Sequence, residues 1–257
     1  MSSVILSDNR FLDGLPTTPY TAAGYSVLNV RDGRTYTSWR SDRAGAQYVT
    51  VDCGTPKGAD TLGIAGTNFK GLSGTYVAVE SSDNGSVWTS RLSSVELPYA
   101  TRNLAYLKTF LGGTARWWRV MIQTASTPPQ VAILMLGMRI GFPRAPDAPF
   151  APVEAKRVVD ASKSKSGQLI GVTSRYTELS ISPRWTTVEF DFIENDMLPF
   201  FREYGGGMNP FFWAWDIFNR PDEVYLVRLT SSHVHNPRKA NGLFYESFSL
   251  DMEGVLE

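Results

Sequence analysis

The sequence predicts a mainly β protein built from two domains, and three observations support this prediction. The chain has 257 residues, a length that suits two modest hydrophobic cores. Aromatic residues make up 12% of it, including seven Trp, while long helical patterns are rare, which favours β-sheet faces. A proline-rich stretch near the middle, GFPRAPDAPFAP, separates two sets of short apolar runs.

The composition excludes several classes of function. Lys and Arg number 25, and Asp and Glu also number 25, so no net field attracts a nucleic acid or an anionic membrane surface. The single cysteine, Cys53, cannot form an intramolecular disulfide or a cysteine-rich metal site. No stretch approaches the ~18 apolar residues that span a bilayer. We therefore expect no nucleic-acid partner, no membrane insertion and no cofactor.

The proline-rich stretch predicts the domain boundary. Its prolines, at positions 143, 146, 149 and 152, are spaced three apart, as in polyproline II. Because proline neither donates to a sheet ladder nor continues a helix, neither domain is expected to run through it. We predict domains at residues 1–142 and 155–257, joined by a stiff linker at 143–154.

The first domain has the strand pattern of a β-sandwich. In TYVAVESSDNGSVWTS, alternating apolar residues lead into Asp83-Asn84-Gly85, which favours a tight turn between two strands. In ARWWRVMIQ, alternation places Trp118, Val120 and Ile122 on one face of a strand.

Five motifs in order resemble the discoidin, or coagulation-factor type C, domain, which is galactose-binding-like. They are NVRDGRTYTSW, QYVTVDCG, LGIAGTN, VESSDNGSVWT and ARWWRV, and the resemblance covers roughly residues 1–142. It implies an eight-stranded jelly roll whose loops at one end often bind sugars, lipid headgroups or proteins.

The same resemblance implies calcium candidates at Asn29, Asp32 and Thr37. Gly137 stands where family members place a further carboxylate, and a hard cation needs six or more oxygens. The alternative interpretation of Asp32-Gly33 is a turn in which the Asp side chain bonds nearby backbone amides. We favour the turn and expect no bound metal.

Sugar sites on β-sandwiches pair an aromatic face with Arg, Asn or Asp side chains that hydrogen-bond to hydroxyls. The candidates here are Arg40, Arg43, Tyr99, Arg102 and Asn103, and the alternative is that they are ordinary exposed loop residues. We assign the three Trp residues inside the family-like motifs, Trp39, Trp88 and Trp118, to packing.

The second domain alternates strand and helix patterns. Val188, Phe190 and Phe192 alternate with acidic residues, which predicts a strand, and Asn195 is placed to cap a short helix. We expect one side of this helix to carry Met197, Phe200, Phe201 and Tyr204. Further strands are expected at Phe211–Trp215, at Val224–Leu229 and around Phe248, Leu250 and Met252.

This order resembles the distal tail and minor tail proteins of long-tailed bacteriophages over roughly residues 155–257. The motifs that carry the resemblance are TVEFDF, EYGGG, PFFWAW, RPDEVYLVRL and FSLDMEGV. The resemblance implies a tail-tube-like β-barrel or sandwich, arranged as a ring, usually of six copies, at the tail tip. It also implies other tail proteins as partners and a virion location after synthesis in the host cytoplasm.

Physical arguments point to self-association as well. Open strand edges must be covered, charged or paired, and head-to-tail pairing closes a ring. Phe211, Phe212, Trp213 and Trp215 place aromatics on both faces of one strand, so we predict that one face meets a neighbouring subunit. The polar KSKSG stretch predicts either an arm reaching the next subunit or a mobile solvated loop.

Catalysis is not expected. Glu189, Asp191, Glu194 and Asp196 are clustered carboxylates, but their spacing fits a wet strand face and a helix cap. His233 and His235 lack an evident third ligand. Three hypotheses remain: a tail-tip ring protein with a carbohydrate-binding-like domain that helps host attachment, a free lectin or adhesin, and, least favoured, a glycan-cleaving enzyme.

Overall fold

The structure of the protein is a computed structural model that describes residues 3–97, 105–151, 154–205, 207–231, 238–240 and 243–256. The chain forms two compact units. Unit 1 comprises Met1–Phe142 and Phe211–Tyr225, and unit 2 comprises Pro143–Pro210 and Leu226–Glu257.

The elements are mostly strands. They run in the order β1 (Val4–Leu6), α1 (Arg10–Asp13), a 3-10 turn (Val27–Arg31), β2 (Trp39–Arg40), β3 (Gly45–Thr67), β4 (Tyr76–Ser82), β5 (Thr89–Glu96), β6 (Tyr106–Thr124), β7 (Gln130–Gly137), β8 (Ile140–Gly141), β9 (Glu154–Lys163), β10 (Leu169–Ile181), β11 (Arg184–Glu189), α2 (Phe190–Phe192), a π-helical turn (Ile193–Met197), α3 (Leu198–Tyr204), β12 (Phe211–Ala214), β13 (Val224–Leu229), β14 (Arg238–Ala240), β15 (Leu243–Ser249) and β16 (Met252–Leu256). Within the described ranges, no helix has both the length and the apolar character needed to cross a membrane.

Unit 1 is built on six antiparallel strands in the order β2-β7-β3-β6-β4-β5. The two longest strands, β3 and β6, pair with each other on both sides of a register shift between Asp52 and Lys57. Before the shift β6 also pairs with β4, and after it β3 also pairs with β7. The two strands thus pass from one sheet layer into another, which gives the predicted β-sandwich.

The core of unit 1 lies between these layers. Trp39 and Trp118 are fully buried in it, which confirms their assignment to packing. Trp88 differs, because it is only half-buried and lies on the guanidinium of Arg119. Cys53 is also buried, and burial raises the pKa of its thiol to about 11, so the thiol is protonated at neutral pH.

Three paired strands complete unit 1, and one of them comes from far along the chain. β1 pairs with β8 on one side and with β12 on the other, where Leu6 lies opposite Phe212. Gly63 of β3 makes room for this strand, since a β-carbon there would sit 2.6 Å from the Phe212 ring. Phe211–Tyr225 therefore belongs to unit 1, whereas the sequence placed it in a separate domain at 155–257.

This arrangement corrects the predicted aromatic interface. Phe211, Phe212 and Trp213 are fully buried within the chain, and the Trp213 ring meets the Phe142 ring edge-on at 5.5 Å. Trp215 is half-buried, and its Nε1 donates to Glu223 Oε2 at 2.5 Å. The strand carries aromatics on both faces because both faces are covered by the chain itself, so the three buried rings offer no surface to a neighbour.

The proline-rich segment also differs from the expected stiff linker between two domains, because part of it is hydrogen-bonded to β11. The Asp147 amide donates to the Arg184 carbonyl at 2.8 Å, and the Thr186 amide donates to Asp147 Oδ2 at 2.6 Å. The Trp185 indole donates to the Arg144 carbonyl at 3.1 Å. These bonds hold the segment around Arg144 and Asp147 along β11 in unit 2, because free backbone groups beside the prolines find partners there.

Unit 2 contains two open sheets, and its described strands do not close into the barrel that the tail-protein resemblance implies. Leu226–Leu229 of β13, β16, β10 and β9 pair in that order within one sheet, and β11, β15 and β14 form the other. The predicted strand through Phe190 and Phe192 ends instead at Glu189, where the helical segment begins. Asn195 lies inside the π-helical turn rather than at a cap, while the predicted inward side chains of the helix are buried.

A hairpin extends from the first sheet of unit 2. β10 pairs with β9 from Leu169 to Ser180 but with β16 only from Thr177 to Ile181. The predicted KSKSG stretch forms its turn, closed by a bond from the Gly167 amide to the Ser164 carbonyl at 2.9 Å. Every residue of β10 before Thr177 is exposed, including Leu169, Ile170 and Val172. The hairpin is therefore a two-stranded arm that no layer of the described residues covers.

Candidate functional site

Several connections of unit 1 meet at one end of its sheets. The register pairs Gly45 with Thr124 and Tyr76 with Gln123, so the connections at residues 41–44, 68–75 and 125–129 lie at the same end. We call this the loop end. The strand ends at Ser82 and at the Asp52–Lys57 register shift lie at the opposite end.

The connection at residues 41–44 is held in place by buried polar groups. The Ser41 amide donates to the Pro129 carbonyl at 3.0 Å, and Ser41 Oγ accepts from the Arg43 amide at 3.2 Å. Gln47 is buried beneath the connection, with its Nε2 donating to the Ala44 carbonyl at 3.2 Å. The backbone that carries Arg40 and Arg43 is thus fixed by the fold.

Arg43 is surrounded by an aromatic ring and a carboxylate. Its guanidinium lies 3.7 Å from the centroid of the Tyr20 ring, and its Nε is 2.9 Å from Asp42 Oδ1. The hydrogen bond to Asp42 raises the pKa of Arg43. Arg40 lies beside it along the chain, with its guanidinium 5.8 Å from the Tyr25 ring centroid. Residues 40–43 thus bring two arginine–tyrosine pairs and one carboxylate to the surface around this connection.

The tyrosines reach this surface through backbone contacts that the sequence did not reveal. The Trp39 indole donates to the Tyr20 carbonyl at 3.3 Å, and the Ala22 amide donates to the Arg40 carbonyl at 2.9 Å. Sequence reasoning found Arg40 and Arg43 but missed Tyr20, Tyr25 and Asp42. The only available signal was two tyrosines five residues apart in a segment without a strand pattern.

The other three predicted sugar-binding residues, Tyr99, Arg102 and Asn103, lie outside the described residues. The described flanks of their segment are at the loop end, since the Leu97 amide donates to the Thr75 carbonyl at 2.8 Å and Tyr106 pairs with Ile64.

The calcium candidates form a hydrogen-bonded turn. Asp32 Oδ1 accepts from the Arg34 amide at 2.9 Å, and Asp32 Oδ2 accepts from the Thr37 hydroxyl at 2.7 Å. Asn29 Nδ2 donates to the Ser38 carbonyl at 2.9 Å. Gly33 follows with φ +72°, so the turn interpretation of Asp32-Gly33 is confirmed. Across the described ranges, no three His, Cys, Asp or Glu side chains form a metal-binding group.

A second arginine–aromatic cluster lies on a sheet face. Arg119 lies between the rings of Trp88, at 4.1 Å, and Tyr48, at 4.5 Å, and its Nε is 2.5 Å from Glu80 Oε2. Both faces of this guanidinium are covered and its charge is paired. The cluster therefore stabilises the sheet, in contrast to the more exposed Arg43.

The carboxylates considered for catalysis lie on the surface. Glu189 ends β11, and Asp191, Glu194 and Asp196 follow in the helical segment, all of them exposed. His233 and His235 fall outside the described residues.

No protein-family model matches the chain, and no curated protein matches it. Solved structures match about half of it. SpGH29 is 21% identical over 51% of this chain, with a TM-score of 0.41, and the match spans 28% of the length of SpGH29.

Two shorter structures are matched over their full length. CpGH89CBM32-5 from Clostridium perfringens, in complex with GalNAc-β-1,3-galactose, is 13% identical over 51% of this chain, with a TM-score of 0.44 and all of that chain covered. A chitosan-binding module from Paenibacillus sp. IK-5, in complex with chitotriose, is 19% identical over 51% of this chain, with a TM-score of 0.41 and 100% of that chain covered.

Proposed function

We propose that unit 1 binds carbohydrate at the loop end, through Tyr20, Tyr25, Arg40 and Arg43 with Asp42. The observation that carries the proposal is the Arg43 guanidinium lying on the Tyr20 ring beside a carboxylate, on a connection that buried side chains hold in place. The protein acts by binding rather than by catalysis in this proposal.

The chemistry of this surface suits a sugar. Tyrosine rings pack against C–H groups of a pyranose, while guanidinium groups donate to hydroxyls and carboxylates accept from them. Among the described residues, only Asp42 accepts a hydrogen bond from the Arg43 guanidinium, and none accepts one from Arg40. Donor capacity therefore remains for a ligand. One contact of millimolar strength supplies only about 4 kcal/mol, so several linked copies supply useful affinity through avidity.

We expect Arg43→Ala to weaken glycan binding by the full chain about tenfold or more, since it removes charge-assisted hydrogen bonds. The measurement is a glycan array to choose the strongest ligand, followed by calorimetric titration of that glycan. Tyr20→Ala is expected to act in the same direction because it removes the ring under Arg43.

Arg175→Ala is the matched control. Arg175 is also exposed and also paired with an aspartate, Asp160, but it lies in the hairpin of unit 2. Its replacement should leave the dissociation constant unchanged. If the unmodified chain and the Arg43→Ala variant are both folded and bind the glycan with equal affinity, the loop end is not the binding site.

A second candidate is a structural protein of a phage tail tip, located in the virion tail, in which copies of this chain form a ring. The β9–β10 arm favours it. β9 is an edge strand, and the exposed side chains of Leu169, Ile170 and Val172 form an apolar stretch that no described residue of unit 2 covers. Pairing of the β9 edge with a second copy, head to tail, would satisfy the open backbone groups, and packing of that copy against the faces of the arm would cover the apolar side chains of β10.

The arm makes this candidate testable. If copies of this chain form a ring, the full chain at high concentration should show oligomers in light scattering and rings in negative-stain images. Replacing Leu169, Ile170 and Val172 together by Ser should leave monomers with an unchanged circular-dichroism spectrum. Leu111→Ser is the control, because Leu111 is a more exposed leucine, at 88%, in unit 1. A chain that stays monomeric throughout would leave carbohydrate binding alone as the proposed function.

A further inference from the structure

Unit 1 contains a polar pocket at the end of the sandwich opposite the loop end. It has a volume of about 160 Å³ and lies beside the β4–β5 turn. Its lining residues include Ser81, Ser82, Asp83, Thr89 and Arg91. Drug-sized ligands occupy roughly 300–1,000 Å³, so this volume suits a smaller molecule.

The guanidinium of Arg91 is fixed at the wall of the pocket. Its Nε donates to Ser81 Oγ at 2.8 Å, and Ser81 is buried. Gly113 lets the group lie against β6, because a β-carbon at that position would be 2.5 Å from Nη1 and 2.6 Å from Cζ. In the part of the chain that the structure describes, no acceptor bonds to the two terminal nitrogens of Arg91.

Hydrogen bonds fix the turn beside Arg91, but none of them involves the carboxylate of Asp83. Asn84 Oδ1 accepts from the amides of Ser86 and Val87, both at 2.9 Å, and Ser82 Oγ accepts from the Gly85 amide at 3.0 Å. Asp83 is exposed at the same pocket, and within the described ranges its carboxylate has no hydrogen-bond or ion-pair partner. Donors and acceptors thus line a small cavity whose backbone is already fixed.

We infer that this pocket binds one neutral polyhydroxylated residue, such as a single glycosyl unit, with Arg91 donating to the ligand and Asp83 accepting from it. A hydroxyl both donates and accepts, so neighbouring hydroxyls complement a guanidinium and a carboxylate together. An anionic ligand would meet the negative charge of Asp83, whereas a cation would meet the positive charge of Arg91. The pair therefore favours a neutral ligand.

This site is separate from the proposed loop-end site. Arg91 and Asp83 lie near Ser82, at one end of β4. Arg43 lies beside Gly45, at the opposite end, where Tyr76 of β4 pairs with Gln123 of β6. The inference therefore does not depend on carbohydrate binding at the loop end.

The test is nuclear magnetic resonance titration of the full, isotope-labelled chain. The neutral probes are D-glucose, D-galactose, D-mannose and N-acetyl-D-glucosamine, and D-galacturonate is the anionic probe. We expect at least one neutral sugar to shift the Arg91 Nε–Hε and Gly113 amide resonances in the millimolar range. Asp83→Asn should weaken that binding about tenfold, because it removes a charged acceptor at an exposed position.

Two further variants make the result specific. Gly113→Ala should abolish the shift of the Arg91 Nε–Hε resonance by displacing the guanidinium. Asp222→Asn, which removes another exposed aspartate of unit 1, should leave both shifts unchanged. Resonances of Arg43 and Gly45 report the loop end separately, so failure of one site is distinguishable from failure of the other. No shift with any neutral sugar, binding of D-galacturonate alone, or shifts that Asp83→Asn leaves intact would each overturn the inference.

Discussion

Replacing Trp118 by Ala is expected to lower the free energy of unfolding of unit 1 by about 3–5 kcal/mol, the range for a large buried aromatic. Trp118 is fully buried in the sandwich core. Its indole donates to the carbonyls of Ala115, at 3.1 Å, and Lys57, at 3.2 Å. The variant therefore leaves a cavity and removes a donor from the bend where β3 and β6 change layers. Urea denaturation followed by circular dichroism measures the loss.

The neighbouring tryptophan provides the control. Trp117 is half-buried on the other face of β6, where it contacts the turn at Gly85 and lies 5.6 Å from the Arg116 guanidinium. Trp117→Ala should lower stability by roughly 1 kcal/mol, since less apolar surface returns to water. A loss for Trp117→Ala as large as that for Trp118→Ala would contradict the assignment of Trp118 to the core.

Replacing Phe212 by Ala is expected to destabilise unit 1 by a similar amount, about 3–5 kcal/mol. The ring is fully buried and lies against Gly63 and close to Leu6. Hydrogen exchange read by mass spectrometry should show faster exchange in β1 and in the second half of β3, with exchange in β9 and β10 unchanged. Faster exchange in β10 and β11 instead would return Phe211–Tyr225 to a C-terminal domain.

Gly63 tests the same contact from the opposite side. Gly63→Ala places a methyl group 2.6 Å from the Phe212 ring and should destabilise unit 1 by about 1–3 kcal/mol through overpacking. Combining it with Phe212→Leu should recover part of that loss. Gly141→Ala is the matched control, since a β-carbon there meets no atom within 4 Å. Equal effects of the two glycine variants would show that the ring does not press on Gly63.

The candidate site was predictable only in part. Arg40 and Arg43 follow a tryptophan turn in a loop-like stretch, which is enough to mark them as candidates. Tyr20, the partner of Arg43, is more than twenty residues away from it along the chain. The two are brought together by the bond from the Trp39 indole to the Tyr20 carbonyl and the bond from the Ala22 amide to the Arg40 carbonyl. The Arg91 pocket depends on Gly113 in another strand, and glycine spacing alone does not identify such a close approach.

Local patterns by themselves determined many of the strands and turns of this protein. Alternation in TYVAVESS gives β4, and Asp83-Asn84-Gly85 gives the turn that follows it, with Gly85 at φ +73°. The run Val224–Leu229 is β13, and the spacing of Met197, Phe200, Phe201 and Tyr204 gives the buried helical face. These features follow from side-chain periodicity and turn chemistry among near neighbours, which a sequence displays directly.

Tertiary structure alone decided where those elements belong. The local sequence of β12 predicts a strand, yet this strand pairs with β1, more than 200 residues earlier in the chain. Its Phe212 ring packs against Gly63 of β3. The proline spacing predicts a linker, yet hydrogen bonds to β11 hold this segment in unit 2. Strand partners and docking surfaces depend on complementary shapes and unpaired backbone groups that meet only after folding, so no local pattern records them.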